Sequence, residues 1–320
     1  MPIIEAHKIS REYVKTSYNI RRPFSLAREV KVGVNEIDLE INEGEFVGFL
    51  GPNGAGKTTF LKILSGIMHP TSGTAKVLGY VPWERDYEYL EQMSIVMGQK
   101  FQLWWDLPAI DSLKLIKEIY KISDRNYKKN LEMMTEILSL RGILTKRLRN
   151  MSLGERMKCE LAACFLHDPK VVFLDEPTIG LDIVSSRSIR NFLKETNRKK
   201  KTTFVLTSHY IGDIEELCKR IVIISDGKKI YDDELEKLKL KYAPKKKIEI
   251  SLQNLEDKKK FAHLKTKSKK IAENRGIIEA KPEDIGEISK EVFDNFDIEN
   301  ITIKDAETEE IIRNIFEEES

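Results

Sequence analysis

The sequence predicts an α/β fold, a parallel sheet covered by helices on both faces, with a small α+β domain after it. Three observations carry this expectation. Segments 46–50, 171–174, 203–206 and 221–224 are apolar throughout and rich in Val, Ile and Phe, as strands buried on both faces are. Helical patterns of ten or more residues separate some of them, which parallel neighbours require. Segment 33–41 instead alternates polar and apolar residues, so an antiparallel β subdomain with one exposed face is expected ahead of the core.

The remaining elements follow in order. Between about residues 80 and 149 the strand signal fades, and Ile110, Leu113, Ile116, Ile119 and Tyr120 recur at helical spacing. A helical insertion at about 85–150 therefore interrupts the sheet. Ala243 and Pro244 followed by three lysines read as a linker, separating a domain over 1–242 from an accessory domain over 243–320. In the latter, 247–252 and 298–303 read as strands and 285–293 and 307–316 as helices. Its basic stretch and acidic stretch are most simply solvated faces.

Composition narrows the function. A 320-residue chain allows two domains, and a 41% hydrophobic share is enough to bury a core. Neither a membrane-spanning apolar run nor a secretory leader is seen, so a cytoplasmic location is expected. Cys159, Cys164 and Cys218 match no metal-ligand spacing and read as small buried residues. With 54 basic and 52 acidic side chains the net charge is +2, which gives no general reason to expect nucleic acid as a partner.

Directly after the 46–50 strand stand Gly51, Pro52, Asn53, Gly54, Ala55, Gly56, Lys57, Thr58 and Thr59, a match to GxxxxGK[ST] that opens a helix. Such a loop turns successive amides toward a phosphate, and the helix dipole adds positive potential. Lys57 then reaches the β and γ phosphates and the Thr58 hydroxyl ligates Mg²⁺. The expected ligand is a nucleoside triphosphate. Asp175 and Glu176 end the 171–174 strand, where ligands of parallel sheets sit. Asp175 is placed to hold Mg²⁺ through water, and Glu176 to orient and deprotonate an attacking water.

Together, GPNGAGKTT, VVFLDEPTIGLD, the MSLGE run at 151–155 and Thr207-Ser208-His209 resemble the nucleotide-binding domain of ABC transporters over about residues 1–242. The resemblance implies ATP hydrolysis with Lys57, Glu176 and His209 as catalytic residues, the last as switch histidine. It also implies a head-to-tail dimer of nucleotide-binding domains with each ATP between the P-loop of one and the signature motif of the other. On that pattern Ser152 and Gly154 contact the γ-phosphate in trans. Gln99 senses it and completes a metal shell with Thr58 and Asp175, Asp182 belongs to the loop linking the two sites, and Tyr13 stacks on adenine, with Tyr18 and Phe24 as competitors. Segment 97–108, MGQKFQLWWDLP, further resembles ATPases of type-2 exporters, whose transmembrane permease subunits are separate chains. That places the protein peripherally on the cytoplasmic face of the membrane. Trp104 and Trp105 then suit either partner contact or internal packing.

Two departures from the family pattern stand out. Leu153 and Glu155 occupy signature positions where Gly and Gln are common, and Ser152 with Glu155 also spells a capping box. A basic insertion with Arg21, Arg22, Arg28 and Lys31 separates Tyr13 from the P-loop and reads as an extended hairpin loop, with a site reaching toward anionic lipid headgroups as the alternative. The rival function is a soluble ABC-type ATPase acting on DNA or ribosomes. Against it, the stretch between Lys57 and Ser152 is too short for a long coiled coil, and only one cassette is present.

Overall fold

The computed structural model describes residues 2–18, 26–98, 100–242, 246–251, 261, 264, 269–272, 275–296, 300–305 and 308–318. Contacts divide the chain into two units, Met1–Asp233 and Glu234–Ser320.

In the first unit, β1 (Pro2–Tyr18), β2 (Leu26–Asn42) and β4 (Ser72–Val77) form an antiparallel sheet in the order β2-β1-β4. The expected 33–41 strand lies within β2. Pairing runs from Pro2 opposite Asn42 out to Tyr18 opposite Leu26, so the hairpin is long. Its tip, residues 19–25 with Arg21, Arg22 and Phe24, lies outside the described residues. Alternate side chains of this sheet, Ile4, Ala6, Ile37, Leu39 and Ile41 among them, are buried with Phe60 and Leu61. Period-2 patterning thus becomes one apolar face of the core.

The main sheet joins β3 (Phe46–Leu50), β5 (Met93–Met97), β6 (Val171–Asp175), β7 (Thr203–Thr207), β8 (Arg220–Ser225) and β9 (Lys228–Glu234). Their order is β5-β6-β7-β3-β8-β9, and the first five are parallel. Val47, Phe49, Val172, Phe173, Phe204, Val205, Val222 and Ile223 are fully buried, and Phe46 stacks on Phe204 with centroids 4.6 Å apart. Each such side chain contributes roughly 1.5–3 kcal/mol over exposure, which makes the sheet a stiff platform. β5 falls inside the stretch whose sequence predicts helices only. It is an edge strand, where β propensity is least demanded, and its Ser94 hydroxyl donates to the Cys164 carbonyl at 2.9 Å.

Helices cover the sheet: α1 (Lys57–Leu64), α2 (Tyr87–Leu90), α3 (Ala109–Ile119), α4 (Asp124–Ile137), α5 (Leu153–Phe165), α6 (Ile183–Lys200) and α7 (Ile211–Leu217). The expected helical insertion is present as α3 and α4, the second capped by the Ser123 hydroxyl, which accepts the Asn126 amide at 3.3 Å. Cys159, Cys164 and Cys218 are buried and free, as their spacing suggests.

The second unit holds α8 (Leu235–Tyr242) and an antiparallel sheet of β10 (Lys246–Ser251), β11 (Lys269–Ala272), β12 (Arg275–Ala280) and β13 (Ile301–Lys304), ordered β11-β12-β10-β13. Helices Ile285–Asn295 and Thr308–Glu318 complete it. Ile248, Ile250 and Ile278 pack with Phe261, Val292 and Phe296 into a core of its own. The expected linker residues, Ala243, Pro244 and Lys245, lie outside the described residues. Helix α8, expected with the first domain, contacts the helix Thr308–Glu318 and so falls in the second unit.

Candidate functional site

The parallel register sets the site. Asp175 stands opposite Thr207 across β6 and β7, and Phe49 stands opposite Thr207 across β3 and β7. The carboxyl ends of three neighbouring strands therefore deliver the P-loop, Asp175 with Glu176, and Thr207 with Ser208 and His209 to one edge, the usual ligand edge of such sheets.

Between β3 and α1 the chain curls through Gly51, Gly54 and Gly56. Gly56 sits at φ 108°, and a Cβ there would lie 2.1 Å from the Gly33 carbonyl oxygen, so only glycine fits. No side chain caps α1, whose first residues Lys57, Thr58 and Thr59 line the cleft. The Lys57 ammonium folds back over the loop, donating to the Gly51 carbonyl at 2.6 Å and the Pro52 carbonyl at 3.0 Å. Burial lowers its pKa, while Glu176 and Asp175 raise it.

Asp175 Oδ1 accepts the Thr58 hydroxyl at 2.9 Å and the Thr207 hydroxyl at 2.7 Å. Glu176 takes a left-handed φ of 55° just past the strand, and its Oε1 lies 2.6 Å from His209 Nε2. The Tyr13 hydroxyl is 3.0 Å from Thr59 Oγ1. Tyr13, Asn53, Gly54, Ala55, Gly56, Lys57, Thr58, Thr59, Glu176 and His209 all line one cleft of about 310 Å³, together with Lys31 and Gly33. A second cleft of about 380 Å³ opens on another side of Glu176 and His209, against Ile179, Ile183 and Tyr210.

Ser152, Gly154 and Asp182 do not line the P-loop cleft. Ser152 caps α5, accepting the Glu155 amide at 3.2 Å while Glu155 Oε2 accepts the Ser152 amide at 3.0 Å. The expected capping box is real. Asp182 caps α6 through the Ser185 amide at 2.9 Å and takes the Ser185 hydroxyl at 2.7 Å. A Cβ on Gly154 would meet that hydroxyl at 2.5 Å, so the starts of α5 and α6 touch. Glu155 also pairs with Lys146 at 2.8 Å, which with the Ser152 amide holds its carboxyl below the usual range. Gln99 lies outside the described residues. Trp104 and Trp105 are 43% and 49% exposed, which counts against internal packing, and Arg156 lies over the Trp105 ring at 4.7 Å.

Sequence reasoning missed Thr207 as the second hydroxyl on Asp175, although it opens the Thr207-Ser208-His209 run. It also missed Asp213, nearly fully buried, which accepts from Thr178, from Ser208 at 3.2 Å and from Arg190 at 2.8 Å. Asp213 thereby ties the turn after Glu176 to the turn holding His209.

The ABC transporter family matches residues 34–179. The ATP-binding protein NatA of Bacillus subtilis, an ABC transporter component, is 31% identical over 217 residues, covering 68% of this chain and 88% of NatA. The chain belongs to the ABC transporter ATP-binding family. It is accordingly an ATP-binding, ATP-hydrolysing subunit of that family. ABC transporter A family member 8 of Dictyostelium discoideum is 33% identical over 248 residues, 78% of this chain but 29% of that protein. Among solved structures, the cassette MJ0796 in a dimeric post-hydrolysis state bound to ADP and Pi superposes with a TM-score of 0.62 at 23% identity, over 72% of this ABC subunit and 98% of that chain. The ATP-binding subunit of another ABC transporter gives 0.64 at 22%, over 75% and 93%. These likenesses support the P-loop α/β fold.

Proposed function

We propose that this ABC subunit powers a membrane exporter by closing around ATP as a dimer, two P-loop clefts each completed by the signature helix of the other chain. The observation that carries this reading is the division of the predicted residues into two groups. Tyr13, the P-loop, Glu176 and His209 share one cleft, whereas Ser152, Gly154 and Asp182 cluster at the starts of α5 and α6 and do not line it. The start of α5 keeps the positive end of its helix dipole even though the capping box takes the Ser152 and Glu155 amides, which suits the γ-phosphate of a partner's ATP.

Within one cleft the roles divide by chemistry. The amides of 51–58 and the Lys57 ammonium hold the phosphates, Lys57 exchanging its two carbonyls for phosphoryl oxygens. Tyr13 carries the adenine. Mg²⁺ fits the donor set at Thr58 and Asp175, hard oxygens with one carboxylate, and among the described residues no group of three His, Cys, Asp or Glu forms a competing metal cage. Gln99 is assigned to the same shell. When bound, the ion neutralises charge developing on the phosphoryl oxygens. Glu176 acts as base toward water, and His209 orients its carboxylate. Asp182 fixes the start of α6, beside the signature helix.

Trp104, Trp105 and Leu107, exposed together, provide the face for a separate membrane-spanning subunit. Among the described residues no helix is long and apolar enough to cross a membrane. The translocation path is assigned to that partner. The protein works at the cytoplasmic face, and the second unit is an accessory domain. The rival soluble reading gains no support from the site.

Mixing two inactive variants tests the two-chain site. Lys57→Ala damages a chain's own cleft, and Gly154→Asp damages what it lends to its partner, by crowding Ser185. In the mixed dimer one site is intact, so ATPase activity returns in the mixture. Activity no higher than the sum of the separate variants contradicts a shared site.

A further inference from the structure

We infer that Glu160 is a positioning residue that clamps the loop bearing Trp104 and Trp105 onto the signature helix, so that the tryptophans and Ser152–Gly154 move as one body. Its meaning for transport rests on the proposal that those tryptophans dock a membrane subunit; the clamp itself does not.

Glu160 lies in α5, two turns beyond the Ser152 cap, and is fully buried. Burying a carboxyl costs several kcal/mol unless something compensates it, so such a residue calls for a reason. Its partners are not side chains. Oε1 accepts the Gln102 amide at 2.7 Å, and the Leu103 amide also binds the carboxyl. Oε2 is buried without a partner. An aliphatic residue would fill this space at less cost, but it could not hold two amides of another segment. Burial pushes the carboxyl up to about 7 while the two amides pull it down, so it titrates near neutrality. On α5 the Cys159 and Cys164 thiols feel it, both pushed up to about 12 by burial and therefore uncharged, and from the loop it accepts backbone amides.

The same loop is tied to the signature segment at further points. The Arg149 amide donates to the Trp105 carbonyl at 3.1 Å, the Leu148 amide to the Leu107 carbonyl at 3.3 Å, and Arg149 pairs with Asp106 at 3.0 Å. Arg156, one turn before Glu160, lies over the Trp105 ring. Those ties reach exposed residues of the loop, Trp105, Asp106 and Leu107. Glu160 supplies a fully buried acceptor, placed on the amides of the two residues immediately before Trp104. Hydrogen bonds to an ionised acceptor are about twice as strong as neutral ones, so ionised Glu160 holds the loop and protonated or amidated Glu160 loosens it.

The test is residue-resolved amide hydrogen exchange on the full-length chain, wild type against Glu160→Gln, corrected for intrinsic rates, at pH 6 and pH 8.5. A clamp gives an exchange rate at Gln102 and Leu103 that rises about tenfold in the variant at pH 8.5, carrying 104–107 with it, while β6 is unchanged. In the wild type the same amides lose protection at pH 6; in the variant they do not respond to pH. Equal acceleration across α5 and β6 makes Glu160 a packing residue only, and no acceleration at Gln102 and Leu103 removes the clamp; either overturns the inference. Failure of the docking proposal reads out elsewhere, as unchanged assembly of Trp104→Ala, Trp105→Ala with membrane, so the two cannot be confused.

Discussion

Burial acts in opposite directions on two ionisable side chains of this subunit. It lowers the Lys57 pKa, partly offset by Glu176 and Asp175, and it raises that of Glu160 from 4.5 to about 7. The second shift makes stability depend on pH with a definite sign. A carboxyl with a raised native pKa binds its proton more tightly folded than unfolded, so this contribution is fully present below about pH 4.5 and is lost as pH rises through 7. The loss between pH 5 and 8.5 is on the order of 2–3 kcal/mol. Glu160→Gln has no such group. Comparing thermal midpoints of the two proteins across that range, the wild type should fall relative to the variant as pH rises; parallel curves would mean that the carboxyl titrates normally. Global stability and loop protection thus move oppositely with pH, because ionisation costs solvation everywhere but strengthens two local bonds. The placement of Asp175 and Glu176 at a strand end was legible in the sequence, since they follow an apolar run. Thr207 on Asp175 was not, because that contact exists only once β6 and β7 pair in register.

Elements buried on both faces were the most readable. β3, β6, β7 and β8 show as unbroken apolar runs because helices cover both sides. Other strands escaped: β5, at the sheet edge, is interrupted by Ser94, and β11 and β12 are short strands that follow a lysine-rich stretch. The loop between β5 and α3 shows the same limit. Its tryptophans signalled either core or partner, and their exposure in the fold argues against the core. Replacing both with Ala should therefore leave ATP affinity and the thermal midpoint of the isolated protein unchanged. Assembly with the membrane subunit should weaken by 2 kcal/mol or more, about 30-fold. Copurification from detergent-solubilised membranes measures the second, and an early-melting isolated variant would return the tryptophans to the core.

At the scale of the whole molecule, the motif residues fall into two separate groups on one chain. Gly154 and Asp182 meet through Ser185 at one place, while Lys57, Thr58, Asp175, Glu176 and His209 surround another. Such a division gains its purpose if two chains face each other with ATP at both seams, and hydrolysis then ends the embrace. The sequence motifs imply that geometry through family resemblance, and the separation of the two groups on one chain is what the two-chain proposal accounts for. Glu176→Gln keeps the shape of the side chain and its neighbour His209 but loses the base. The direct measurement is sedimentation velocity of Glu176→Gln with ATP and Mg²⁺. A two-chain site gives a stable dimer that the same variant lacks with ADP, whereas a monomer under both conditions contradicts it.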